Sequence, residues 1–169
     1  MQCGGDVALW LGERVGSTGK VMVLDLSEEL LDLARRRARE RGLEGIIEFH
    51  KADKYKTTFP DEEFNALVSE FILFPAPMVT EIGQPEMARV PRRGGKMVLT
   101  DVIMTKSLSD GVRGKLRAIG LDYLCEATQD DFREWMEEAG LVDVEVLDFT
   151  PLVRRVWQER RPSTSMPAV

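Results

Sequence analysis

Cysteine and histidine are scarce in this sequence. Its two cysteines, Cys3 and Cys125, lie far apart, and His50 is the single histidine. Two distant thiols supply neither a disulfide framework nor a zinc site. No metal is therefore expected, and a reducing, cytoplasmic setting is. No apolar stretch approaches the ~20 residues that a membrane span requires. The first residues lack the basic-then-apolar pattern of a secretion signal. Positive charge is also in deficit: 23 Lys and Arg stand against 29 Asp and Glu, a net charge of −6. That balance argues against a dedicated nucleic-acid binder. One basic run, ARRRARERG from Ala34 to Gly42, departs from it. Helical surfaces of such mixed charge are ordinarily solvated faces.

What is present is ordinary for a globular protein. The chain has 169 residues, 43% of them hydrophobic and 31% charged, which suits one domain with a sizeable core. The expectation is a single domain over 1–161 and a frayed tail over 162–169, with no repeats.

Spacing then predicts the elements. Residues 5–15 read as a helix with Val7, Leu11 and Val15 on one face and Trp10 beside them. A turn at Gly16–Gly19 leads to the apolar run Val21–Leu24, which ends in Asp25. Such a run suits a strand covered on both faces, as in a parallel sheet. Ser27 is an N-cap candidate before Glu28 and Glu29, and that helix stops at Gly42. Ile46, Ile47 and Phe49 form a second strand, followed by Asp53; FNALVSEFIL is a third. A helix is expected over about 78–90, weakened by Gly83 and Pro85. PRRGGK reads as a turn and KMVLTDVIM as a fourth strand. The stretch 107–124 looks helical but broken by glycines. Thr128 caps TQDDFREWMEEAG, VDVEVLDF alternates like a strand, and PLVRRVWQERR reads as a last helix with Pro151 in its first turn. Strands alternating with helices give an α/β domain with a mostly parallel sheet. Right-handed crossovers would then put every strand C-terminus on one edge, where such sheets bind ligands.

Polar residues end these runs: Asp25, Asp53, Ser69 and Glu70, then Thr100 and Asp101. Acidic groups gathered on one edge suit a ligand bearing hydroxyls, an amine or a positive charge. Asp25 lies about twenty residues after Gly4 and Gly5, where a carboxylate accepts hydrogen bonds from both hydroxyls of a ribose. It equally suits the cap of the following helix. Asp53 could meet an adenine amino group or stand as an exposed turn residue. His50 has a general base and a structural ring as its two readings, with the structural one favoured. Cys125 reads as a buried thiol. Phe71, Phe74, Met78 and Met87 read as core, the two phenylalanines also as pocket lining.

Four stretches carry a family resemblance. CGGDVALWLGERVGSTGKVMVLDLSEELLDLARRRA, FHKADKYKTTFPDEEFNALVSEFIL, ARVPRRGGKMVLTDVI and FREWMEEAGLVDVEV occur in that order. Together they resemble class I S-adenosylmethionine-dependent methyltransferases, in particular the small-molecule branch typified by quinone-biosynthesis and arsenite methyltransferases. The resemblance implies a Rossmann-like three-layer sandwich with S-adenosyl-L-methionine as cofactor and a small-molecule methyl acceptor. It places Gly4 and Gly5 in the glycine loop, Asp25 at the ribose and Asp53 on the adenine side, with Leu26 a further cofactor contact. Ser69 and Glu70 follow as weaker contacts. Glu70 and Asp101 are candidate proton acceptors; no catalytic residue is otherwise assigned. Acceptor specificity is expected in 71–85 and 104–126.

The departures are specific. The family usually carries a central strand ahead of the glycine loop, so the sheet is expected to be incomplete at the N-terminus. It usually has Asp where Asn65 stands and Gly where Ala52 stands. A closing antiparallel strand after VDVEVLDF is not evident. A second copy completing the sheet is accordingly a candidate partner. The alternative function is a non-catalytic methyltransferase-like binding or assembly protein, or a truncated fragment with impaired cofactor binding. A nicotinamide dehydrogenase shares the ribose acid but fits the later segments worse.

Overall fold

The computed structural model describes residues 5–54, 56–70, 84–118 and 126–159. Cys3, Gly4, Phe71, Phe74, Met78, Cys125 and the tail 162–169 lie outside the described residues. The chain runs α1 (Asp6–Val15), a short 3-10 turn (Gly16–Thr18), β1 (Val21–Asp25), α2 (Glu28–Glu40), β2 (Ile47–Lys51) and β3 (Phe64–Glu70). It continues through α3 (Gln84–Arg89), β4 (Pro91–Thr100), α4 (Asp110–Ala118), α5 (Gln129–Glu138) and α6 (Thr150–Glu159).

The strands pair in parallel, as expected of an α/β protein. β1 lies beside β2 with Val21 opposite Ile47 and Asp25 opposite Lys51. β3 lies beside β4 with Leu67 opposite Met97 and Glu70 opposite Thr100. These are two separate two-stranded sheets; among the described residues no ladder joins β1 to β3.

Local chemistry explains the helices. Ser27 Oγ accepts from Leu30 N at 3.3 Å, Glu28 and Glu29 occupy the first turn, and Arg37 and Arg39 the last. Both ends of α2 thus complement the helix dipole. Thr128 and Asp131 form a reciprocal capping box on α5, which satisfies two otherwise unpaired N–H groups. α2 buries Leu31, Ala34 and Ala38. With Leu9 of α1, Leu43 and Ile47, Ala38 makes one core, on which Val21, Val23 and Phe49 pack. A second core joins Met87 of α3 and Met136 of α5 to Leu67, Met97 and Leu99. Fully burying Leu9 and Leu31 contributes roughly 1.5–3 kcal/mol each.

The observed elements differ from the expected ones in four places. First, α1 buries Leu9 and Gly12, while Val7, Leu11 and Val15 are only half-buried. Gly12 sets this line of contact, because a Cβ there would lie 2.7 Å from Ile47 Cδ1. Second, PRRGGK belongs to β4. Phe64 opposes Pro91 and Ala66 opposes Lys96, so Arg92–Gly95 bulge out opposite Asn65, with Gly94 at a φ of 71°. Third, VDVEVLDF is not a strand. Its alternation specifies a face but supplies no neighbouring backbone to pair with, and Asp143 at a φ of 55° bends it. Fourth, the helix expected over 107–124 narrows to Asp110–Ala118, with 119–124 outside the described residues.

Gly5 ties sequence to packing. It sits at the start of α1 with a φ of 77°, and a Cβ there would come 2.8 Å from Ala34 Cβ on α2. Ala34 cannot yield, because its Cβ is fixed to the helix backbone. Gly5→Ala is expected to lower stability by roughly 1–3 kcal/mol and Gly45→Ala, with open space around it, by much less. Urea unfolding of the two variants checks this; equal midpoints would remove the packing role of Gly5.

Candidate functional site

Parallel register brings the strand ends to common edges. Asp25 and Lys51 close the β1–β2 ladder, and Ala52 N donates to Asp25 O at 3.2 Å. Asp53 therefore follows directly beside Asp25. Glu70 and Thr100 close the β3–β4 ladder, with Asp101 next along the chain. The charge of Asp6, in the first turn of α1, acts on Glu70 at this second edge.

The carboxylate of Asp25 is pre-positioned. Its Oδ1 accepts from Ser27 N at 2.8 Å, which fixes the side chain and turns the chain into α2. Oδ2 accepts no protein hydrogen bond among the described residues. One oxygen thus shapes the turn ahead of α2, and the other stays open. Leu26, next to it, is 65% exposed and offers an apolar surface. Asp53 is exposed, and its carbonyl accepts from Lys56 N at 3.0 Å.

On the second edge, Glu70 is half-buried. Burial, and then the nearby charge of Asp6, push its carboxyl above the usual range. Asp101 Oδ1 accepts from Val102 N at 2.8 Å. Ser69 is only 6% exposed. Its side chain lies on the same face of β3 as Leu67, which packs into the second core, so the strand-end edge receives Ser69 through its backbone.

Four of the five arginines in the basic run are paired. Arg35 bonds Glu28 and Asp32, Arg37 pairs with Asp6, Arg39 with Glu44 and Arg41 with Glu13. His50 stands edge-on to Phe59, ring centroids 5.8 Å apart, and Phe59 in turn meets Phe64 at 4.8 Å. This is the structural reading of His50. Among the described residues no group of three or more metal-ligating side chains occurs.

One feature escaped the sequence reading. The loop between Asp53 and β3 is clamped by Arg89 and Glu86 of α3. Arg89 donates to Phe59 O at 2.8 Å, Asp61 Oδ1 at 2.6 Å and Glu86 Oε1 at 2.6 Å. Glu86 Oε1 accepts from Thr57 N at 2.9 Å and Thr57 Oγ1 at 2.6 Å. Bonding to Arg89 and Thr57 draws the Glu86 carboxyl down to about 2. The only sequence signal is a Glu and an Arg three apart on a short helix, a spacing too common to single out.

Comparison with known proteins bears on this edge. Residues 2–95 match the family described as a methyltransferase domain. Methyltransferase GfsG of Streptomyces halstedii is 28% identical over 155 residues, 90% of this chain and 55% of that protein. The ubiquinone/menaquinone biosynthesis C-methyltransferase UbiE of Pseudomonas putida is 29% identical over 180 residues, 94% of this chain and 69% of that protein. Among solved structures, a geranyl diphosphate methyltransferase in complex with SAM superposes with a TM-score of 0.78 at 21% identity. The match covers 96% of this chain and 64% of that one. The chain thus spans little more than half of the first relative and under two thirds of the solved structure. The fold is the Rossmann-like α/β arrangement of these proteins.

The clamp makes a pH prediction. A carboxylate whose folded value lies below its ordinary 4.5 stabilises the fold above that value and loses its contribution as pH falls toward the folded one. Between about pH 4.5 and 2 the wild type is expected to lose thermal stability more steeply than Glu86→Gln. Melting curves across that window check it; parallel curves would show that the clamp carries no such linkage.

Proposed function

The chain belongs to the methyltransferase-domain family, and on that premise we propose that it transfers a methyl group from S-adenosylmethionine to a small-molecule acceptor. The observation that carries this reading is Asp25: a carboxylate at a parallel-strand end, held by Ser27 N at 2.8 Å, with its second oxygen unpaired by protein among the described residues. That arrangement fits a ribose, because two neighbouring hydroxyls need an acceptor-only group of fixed orientation. Leu26 would pack against the adenine and Asp53 would lie on its amino side, with Gly5 and Gly4 ahead of the α1 N-terminus. Two of the relatives, methyltransferase GfsG and the C-methyltransferase UbiE, support the same direction.

The cofactor supplies an activated methyl on a sulfonium, which leaves as a neutral thioether without needing a proton. The chain's own residues are left with binding and alignment, which by themselves account for large rate effects. Glu70 is suited to hold a proton released by the acceptor, because burial and then Asp6 raise its carboxyl above the ordinary range. Asp101 is the alternative on the same edge. Among the described residues no helix is long and apolar enough to cross a membrane. A cytoplasmic setting belongs to the same proposal, supported by the sparse, widely separated cysteines.

A second reading, a non-catalytic methyltransferase-like binding or assembly protein, is supported by the lack of any ladder between β1 and β3 among the described residues. An open sheet there leaves the cofactor edge in two halves.

Calorimetric titration with S-adenosylmethionine and S-adenosylhomocysteine separates the two. Micromolar binding is expected, weakened by about 10- to 100-fold in Asp25→Ala, the range for losing charge-assisted hydrogen bonds. Binding without turnover on any acceptor would favour the second reading, and no binding by the wild type would refute the first for this chain.

A further inference from the structure

The loop that carries Asp53 runs over 52–63, between β2 and β3, and holds no helix or strand among its described residues. Such a segment keeps one place only where bonds from elsewhere fix it. Here they come from one short element far along the chain. Thr57 N and Oγ1 donate to Glu86 Oε1, and Phe59 O and Asp61 Oδ1 accept from Arg89. Glu62 N donates to the Arg89 carbonyl at 2.9 Å. Thr57, Phe59, Asp61 and Glu62 are thus all held by two residues of α3. The Phe59 ring adds a second hold, since it meets both His50 of β2 and Phe64 of β3.

The clamp is partly shielded from water. The Glu86 and Arg89 side chains keep 16% and 29% of their exposure, so their bonds fix geometry better than those of a fully exposed pair. It also ends where the ligand edge begins. Lys56, next to Thr57, donates its N to Asp53 O at 3.0 Å, and Ala52 N donates to Asp25 O at 3.2 Å. A run of bonds and short chain segments therefore leads from Arg89 through Glu86 and Thr57 to Asp53, and on to Asp25. A carboxylate recognises an amino group only within a narrow range of distance and angle. A shift of about 1 Å in the loop is enough to lose that recognition.

We propose that Arg89 and Glu86 are positioning residues that hold Asp53 against the amino group of adenine, and so set the selectivity of the cofactor site for that base. Both act through the loop rather than on the ligand. The proposal rests on S-adenosylmethionine being the cofactor of this chain.

Calorimetry with two ligands tests it: S-adenosylhomocysteine and its inosine counterpart, in which an oxygen replaces the amino group of the base. The wild type is expected to prefer the first by about 10- to 100-fold, the range for a hydrogen bond to a charged group. Arg89→Ala is expected to cut that preference by about 10-fold, and Glu86→Gln, which removes the charge and keeps the shape, by about threefold. Unfolded molecules lower both apparent affinities by the same factor, so a loss of stability alone leaves the ratio unmoved. Glu86→Gln decides the matter where Arg89→Ala binds neither ligand. Asp53→Ala is expected to abolish the preference, and adding Arg89→Ala to it to change the ratio no further. An unchanged ratio in Glu86→Gln, a wild type that binds both ligands equally, or a further fall in the double variant would overturn this inference and leave the methyl-transfer reading standing. A wild type that binds neither ligand would overturn both.

Discussion

Parallel pairing is the constraint on which the rest of this structure depends. Two parallel strands cannot be joined by a tight turn, so the chain must cross a face of the sheet before it returns. Between β1 and β2 that crossing is α2, and it brings Ala34 against Gly5 and Ala38 into the first core. Before β4 the crossing ends in α3, whose Met87 helps to build the second core. The same rule decides the chemistry. Within each pair the strands run one way and end on one side, so Asp25 meets the start of the Asp53 loop, and Glu70 meets Thr100. An antiparallel arrangement of the same strands would scatter these carboxylates over both edges.

Electrostatics then hold the edge in shape. Asp25 commits one oxygen to Ser27 N, Asp101 bonds Val102 N, and Arg89 with Glu86 ties down the loop that precedes β3. The short polar side chains bond to nearby backbone, which orients them at little cost in side-chain entropy. The long ones are different. Arg89 serves several acceptors at once from a planar fork of donors, so one side chain replaces what several local turns would otherwise have to do. Surface pairs such as Arg39 with Glu44 and Arg41 with Glu13 contribute little individually. They do offset most of the charge of the basic run.

Much of this was legible in the residues. Ser27 and Thr128 are recognisable as caps because hydroxyls before an acidic turn have one good use there. The strand runs at Val21, Ile47, Phe64 and Met97 are visible because burial on a sheet demands continuous or alternating apolar residues. Asp25 could be singled out because its distance from the glycines follows from the length of one helix and one strand. VDVEVLDF shows where such reading stops. Its alternation is as clean as any in the chain, yet it forms no ladder among the described residues, because a strand requires a partner backbone that its own residues do not encode. PRRGGK errs the other way: turn residues bulge inside β4 without ending it.

By itself, then, the sequence determined the local and the periodic: helix starts and stops, apolar faces, parallel α/β class, and which acids terminate which strands. Each of these depends on residues within a few positions of one another. Tertiary structure alone decided three further matters. It put Gly12 on the core line of α1, where Ile47 fills the space beside it, and left Leu11 half-buried. It joined Thr57, Asp61, Glu86 and Arg89 into one clamp. It left β1 and β3 without a shared ladder among the described residues. All three depend on which distant segments meet, and that is settled by packing of the whole chain rather than by any window along it.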